Sequence, residues 1–230
     1  MMSDPVILDN IAFDLKPEAV FDRLHLRDLD DYQPRALELA RQAQAAARPR
    51  AMYRVAYIES RTDNTVTVEG VTFTSRVLVV NLRETHRVFP FVATCGREME
   101  AWAAPITDML ERFWAETLME MAVHAAARFV HKHVADKAAF GPVAAMDPGS
   151  LQDWPLEQQR ELFTLLGDTR GAIGVELTDS CLMVPVKSVS GIFFPSETHY
   201  ENCQLCPRET CPGRRAQYDA DLYARRYARH

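Results

Sequence analysis

Polar and apolar residues alternate with a period of two through Tyr53-Arg54-Val55-Ala56-Tyr57-Ile58, Thr65-Val66-Thr67-Val68-Glu69-Gly70 and Arg76-Val77-Leu78-Val79-Val80, with turn residues at Thr62-Asp63-Asn64 and Gly70. β-Branched side chains at alternate positions suit a pleated surface with one buried face, so these runs predict antiparallel strands. Val88 to Thr94 is apolar almost throughout and predicts a more deeply buried strand, with a helix starting at Cys95-Gly96. Three further runs, Ile173 to Leu177, Leu182 to Val186 and Ser188 to Phe194, are expected to complete the sheet.

A period near 3.6 takes over between these runs. Leu110, Trp114, Leu118, Met121, Ala122, Ala125 and Phe129 fall at spacings of three and four and predict a long packing helix from 110 to 134. On another flank of that helix, Arg112, Glu116, Glu120, His124 and Arg128 recur every fourth residue, the spacing of a solvated face with ion pairs. Shorter helices are expected over roughly 17–25 and 33–48, where Pro17 and Pro34 suit first turns. Another should start at Asp153-Trp154-Pro155 and stop at Gly167. Helices against a mostly antiparallel sheet make the fold class α+β. Residues 1–200 are expected as the main domain, and 201–230 as a cysteine-rich segment with a C-terminal helix.

Composition narrows the function classes. The 230 residues are 47% hydrophobic and 25% charged with net charge −6, which describes an ordinary globular chain. A chain of this length buries roughly 70% of its unfolded surface, so a core forms without metal or disulfide. No basic stretch provides the clustered cations that phosphate backbones require, which argues against nucleic acid as a partner. No apolar run reaches the roughly 18 residues of a membrane span, and the N-terminus lacks the features of a signal peptide, so a cytoplasmic location is expected.

Between about 111 and 200 a more specific succession appears: Pro148-Gly149, a short helix ending Leu162-Phe163-Thr164-Leu165-Leu166, Gly174 through Thr178-Asp179-Ser180-Cys181 to Pro185, then Ser188-Val189-Ser190-Gly191. This order resembles the reactivation domain of cobalamin-dependent methionine synthase, including its stand-alone homologues. The resemblance implies a helmet-like α+β domain with a twisted antiparallel sheet. It also implies S-adenosylmethionine as ligand and a role capping a cobalamin domain, so that Co(II) is reduced and methylated back into the cycle. Carried over residue by residue, the acidic ligand to the cofactor's amino group falls on Glu120, the Pro-Gly pair on Pro148 and Gly149, and the aromatic contact on Tyr200. The family's Arg-x-x-Pro-Gly-Tyr reads here Ala145-Met146-Asp147-Pro148-Gly149-Ser150, without the arginine and the tyrosine. A lost charge-assisted contact is worth roughly 1.5 to 3 kcal/mol, so S-adenosylmethionine is expected to bind weakly or not at all.

Three of the five cysteines, Cys203, Cys206 and Cys211, fall within nine residues. A Cys-x-x-Cys pair with a third thiol nearby can converge on one metal, as an iron-sulfur cluster or as structural zinc; the remaining alternative is free surface thiols. Delivery of an electron to cobalt, implied by the resemblance, favours the iron-sulfur cluster. Its fourth ligand is left among His199, Cys95 and an open site, and Cys181 is expected in the core. The chain lacks the Asp-x-His-x-x-Gly signature of a cobalamin binder, so the cobalamin is expected on a partner: a corrinoid methyltransferase or a methionine synthase without its own reactivation domain. The alternative from another class is a non-catalytic adaptor or small-molecule-binding domain with structural zinc.

Overall fold

The computed structural model describes residues 3–139, 141–196, 200–211 and 213–228. Its strands are β1 (Val6–Leu8), β2 (Arg50–Tyr53), β3 (Ala56–Arg61), β4 (Thr65–Val68), β5 (Val71–Thr74), β6 (Arg87–Thr94), β7 (Val143–Met146), β8 (Glu176–Leu177), β9 (Met183–Val184) and β10 (Ser188–Pro195). Its helices are α1 (Pro17–Leu24), α2 (Gln33–Ala46), α3 (Arg76–Asn81), α4 (Arg97–Ala103), α5 (Met109–Val134), α6 (Gln159–Leu166), α7 (Thr169–Ile173) and α8 (Leu222–Arg226). The α+β class expected from the alternation holds, with an antiparallel sheet packed by helices. None of the described helices is long and apolar enough to cross a membrane.

The apolar run from Val88 to Thr94 lies within β6, the hub of the sheet. On one side β6 pairs with β2 from Arg50↔Thr94 to Tyr53↔Phe91 and with β3 at Ala56↔Val88; on the other it pairs with β10 from Ser188↔Thr94 to Phe193↔Phe89. Period two sorts its side chains between two cores. Phe89, Phe91 and Ala93 meet Ala126, Val130 and Val134 of α5, whereas Val88 and Val92 share the opposite core with Leu78, Trp154, Leu162 and Leu165. A third cluster, with Val20, Leu39, Trp114 and Leu118, joins α1 and α2 to the first half of α5.

Several expectations are corrected. The run Arg76 to Val80 is helix α3 rather than a strand: Ser75 caps it, its Oγ accepting from Leu78 N at 2.9 Å, and Asp153 accepts from Val77 N at 2.9 Å. Two cap acceptors and burial of Val77, Leu78 and Val79 override the β preference of the valines. Asp153 thus caps a distant helix, and α6 begins later, through a 3₁₀ turn over Leu156–Gln158. Ile173 ends α7 and only Glu176–Leu177 is strand, while the next run shortens to Met183–Val184. On α5, Trp114, Leu118 and Ala122 are buried as expected, but Leu110 and Phe129 are exposed. The buried stripe continues instead through Ala126, Val130 and Val134 onto the sheet.

Residues after 200 pack against the same core as the sheet. Leu205, Cys206 and Leu222 lie on it, and Tyr227 is buried in it, its hydroxyl donating to Asn81 Oδ1 at 3.0 Å.

Candidate functional site

β7 covers the outer edge of β10 only from Ile192 to Pro195, so β10 runs on past the end of β7 through Ser188–Gly191 without a strand partner on that side among the described residues. At this step lies a cleft of about 770 Å³. α5 contributes His124, Arg128 and His131, β10 contributes Ser188, Val189, Ser190 and Phe193, and the C-terminal segment closes one side with Glu201, Gly213 and Arg215. The apolar wall is aromatic. Phe91 and Phe193 stack with ring centres 3.8 Å apart, and His131 meets Phe193 edge-on at 5.4 Å while its Nε2 lies 3.2 Å from Val143 O.

The chain leaves β7 at Asp147, and its carboxylate lies against Gly191. A Cβ at Gly191 would come within 2.3 Å of Asp147 Oδ1 and 2.6 Å of Met146 O, so only glycine leaves room for this approach. Asp147 Oδ2 receives two long hydrogen bonds, from Ser150 Oγ and from Asn202 Nδ2, both at 3.4 Å. Burial pushes the Asp147 carboxyl up to about 6, with Glu201 adding to the rise and Arg215 and Ser150 opposing it. Arg215 is held by Glu201, Nε to Oε2 at 2.9 Å. His124 lies below its ordinary value because desolvation and the nearby Arg23, Arg128 and Arg215 outweigh Glu120. Two buried polar atoms in the lining, Gln159 Oε1 and Ser190 Oγ, have no hydrogen-bond partner among the described residues.

The residues singled out from sequence fall in different places. Pro148 and Tyr200 line the cleft. The Tyr200 hydroxyl donates to Asn202 Oδ1 at 2.9 Å, and burial, aided by Tyr227 and Asp147, raises its phenol. Gly149 turns the chain with φ +82°, and a Cβ there would meet Leu156 Cδ1 at 2.9 Å, so the turn itself accounts for the glycine. Glu120 is ion-paired with Arg23 at 2.8 Å and is not among the lining residues. Asp147, Gln159, Ser190 and Arg215 were missed as site residues. The only signals for them were Asp147 inside the altered Pro-Gly motif and Ser190 inside Ser-Val-Ser-Gly.

The expected metal centre does not fit this arrangement. Among the described residues no group of three or more His, Cys, Asp or Glu side chains could hold a metal. The Cys203 sulfur accepts from Arg215 N at 3.4 Å, and Cys206 packs against the core. Inside the cysteine turn sits a cation of the chain itself: the Arg214 guanidinium donates to Cys203 O at 3.1 Å, Ala216 O at 3.2 Å, Cys206 O at 3.3 Å and Arg208 O. Cys95, a candidate fourth ligand, is buried in the cluster of α1, α2 and α5 with Met99 and Trp114, and burial with Glu100 pushes its thiol up to about 12. Cys181 is buried as expected, in the turn between β8 and β9, with Arg160 Nε donating to its sulfur at 3.3 Å. His199 lies outside the described residues. Anaerobically purified protein is accordingly expected to be colourless, with iron and zinc well below one per chain. A brown protein containing iron and sulfide would show that the three thiolates rearrange around a cluster.

Residues 148–211 match the family model of the vitamin B12 dependent methionine synthase activation domain. No curated protein matches the chain. Among solved structures, the MetH reactivation domain bound to AdoHcy aligns with a TM-score of 0.55 at 16% identity, over 87% of this chain and 82% of that one. The resemblance read from the sequence is therefore borne out, in sequence between Pro148 and Cys211 and in fold over most of the chain.

Proposed function

We propose that the chain is an accessory reactivation protein for a cobalamin-dependent methyltransferase, docking over the cobalamin of a separate partner and supporting return of Co(II) to the active state. The observation that carries this is the overlap of two independent likenesses. The segment matching the activation domain, 148–211, contributes Pro148, Ser150, Gln159, Ser188, Ser190, Tyr200 and Glu201 to the cleft, at the step in a sheet that has the fold of the MetH reactivation domain.

Division of labour follows from the residues present. Cobalamin, on the partner, supplies the methyl-transfer chemistry. The cleft is assigned to an S-adenosyl compound, the kind of ligand bound by the MetH domain. Ala145 provides no cation there, but Arg215 of the C-terminal segment reaches the same cleft, already engaged by Glu201. Because that cation is shared, binding weaker than in a site with a free arginine is expected. The electron for cobalt is left to a separate donor, since the cysteine turn offers no metal centre among the described residues.

The test is capture by the chain of a corrinoid methyltransferase lacking its own reactivation domain, in cobalamin-loaded and cobalamin-free forms. Preferential retention of the loaded form, with modest affinity, is expected. Equal retention of both forms, or a stoichiometric corrinoid on the chain alone, would overturn the proposal.

A further inference from the structure

Two thiols spaced Cys-x-x-Cys can bond to each other as well as to a metal, and the backbone between them decides whether they share a face. Cys203 lies in the 3₁₀ helix over Asn202–Leu205, and Cys206 closes its last turn, the Cys206 N–H donating to Cys203 O at 3.3 Å. With three residues per turn, positions i and i+3 stand one above the other, and a rise of about 2 Å per residue sets their Cα atoms about 6 Å apart. A disulfide spans that separation. The turn is braced from both ends: Glu201 and Gln204 form a capping box, and the Arg214 guanidinium donates to the carbonyls of Cys203 and Cys206. Both thiols are free and half-buried, and Cys206 packs against the core.

The same turn reaches the cleft. The Cys203 sulfur accepts from Arg215 N at 3.4 Å, and the Arg215 guanidinium, paired with Glu201, forms part of the cleft wall. We propose that Cys203 and Cys206 are a redox-active dithiol, and that closing their disulfide displaces Arg215 in the cleft wall. The oxidant is a small-molecule disulfide such as oxidised glutathione. Cys203 gives its proton to solvent and its thiolate attacks one sulfur of that disulfide, forming a mixed disulfide and expelling one thiolate. Cys206, as thiolate, then attacks the Cys203 sulfur and expels the second. Two protein thiols are oxidised, the external disulfide is reduced to two thiols, and the two protons end on the leaving groups. Cys203 attacks first because Cys206 is turned to the core. Bonding to Cys206 swings the Cys203 sulfur away from Arg215 N, which loses its acceptor. Glu201 belongs to both structures, as cap of the turn and as ion-pair partner of Arg215, so a change in the turn is passed to the cleft.

Mass spectrometry of the whole chain, equilibrated with reduced and oxidised glutathione and alkylated under denaturing conditions, tests the dithiol. The oxidised wild type is expected to take up two fewer alkyl groups than the reduced one, with the peptide that holds Cys203 and Cys206 lighter by two hydrogens. Cys206→Ser should stop at a mixed disulfide between glutathione and Cys203, and Cys211→Ala should leave the internal bond forming as before. Hydrogen exchange reads the coupling: deuterium uptake around Arg215 should rise on oxidation of the wild type, and the oxidant should cause no such rise in Cys203→Ser. Thermal melts establish that each variant is folded. A bond from Cys211 to either thiol, glutathione spread singly over the three cysteines, or an iron or zinc ion held tightly by the thiolates would overturn the dithiol. Oxidation without a change in exchange at Arg215 would overturn its link to the cleft. Neither an S-adenosyl compound nor the partner enters these measurements, so their failure is distinguishable from failure of the proposed function.

Discussion

Replacing Tyr227 with alanine is expected to destabilise the whole protein by about 3–5 kcal/mol, the usual cost of removing a large buried aromatic. The ring has no exposed surface, packs into the core that also holds Trp154 and Leu78, and donates its hydroxyl to Asn81 Oδ1 at the end of α3. Its carbonyl accepts from Arg76 Nε at 3.1 Å, so the last helical turn is fastened to α3 twice. Against a typical stability of about 5–15 kcal/mol, the loss is large enough to shift the denaturation midpoint well outside error. Tyr227→Phe keeps the ring and should cost about 1 kcal/mol for the lost hydroxyl. Tyr218→Ala, at a side chain 47% exposed in the same segment, should stay within about 0.5 kcal/mol. If Tyr227→Ala proved as mild as Tyr218→Ala, the C-terminal segment would be an appendage to the fold rather than part of its core.

That integration shows where sequence patterning stops. The unbroken apolar run located β6 because both of its faces are buried, Phe89 in one core and Val92 in the other, and β10 likewise sends Ile192 and Phe193 into opposite cores. The same logic failed at Arg76 to Val80, whose valines form a helix because Ser75 and Asp153, far apart in the chain, cap it together. No local pattern carries that information. The cleft was legible in part. Pro148, Tyr200 and the Ser-Val-Ser-Gly run all lie on or beside it, since the resemblance covers just those segments. Glu120 was placed by carry-over from the resemblance, and its pairing with Arg23 depends on how α1 docks on α5. The cysteine spacing was read as a chelate because spacing reports only that thiols can meet. It could not report that Arg214 would bind three carbonyls of the turn and that of Ala216.

Asp147→Asn is expected to stabilise the ligand-free protein, and the gain should depend on pH. A carboxyl whose folded pKa is about 6, against an ordinary 3.8, keeps its proton in the native state at pH values where the unfolded chain has lost it. Protonation therefore favours the fold: the wild type loses stability as pH rises from about 4 through 6, and the whole cost is present above about 7. Two pKa units correspond to about 3 kcal/mol, and solvent reaching the cleft reduces the expected difference to about 1–2 kcal/mol. Glu201, Arg215, Arg128, His124 and His131 line the same cleft, but they are common to both proteins, so the difference curve isolates Asp147. Denaturant titrations at pH 4 and pH 8 should show the two proteins alike at the lower value and the asparagine variant more stable at the higher. A carboxylate that lowers stability at neutral pH, beside two buried acceptors without partners among the described residues, is the pattern of a site strained until its ligand arrives. If the variant were instead the less stable at pH 8, Asp147 would be a structural anchor satisfied by Arg215, Ser150 and Asn202 rather than a strained group at this edge of β10.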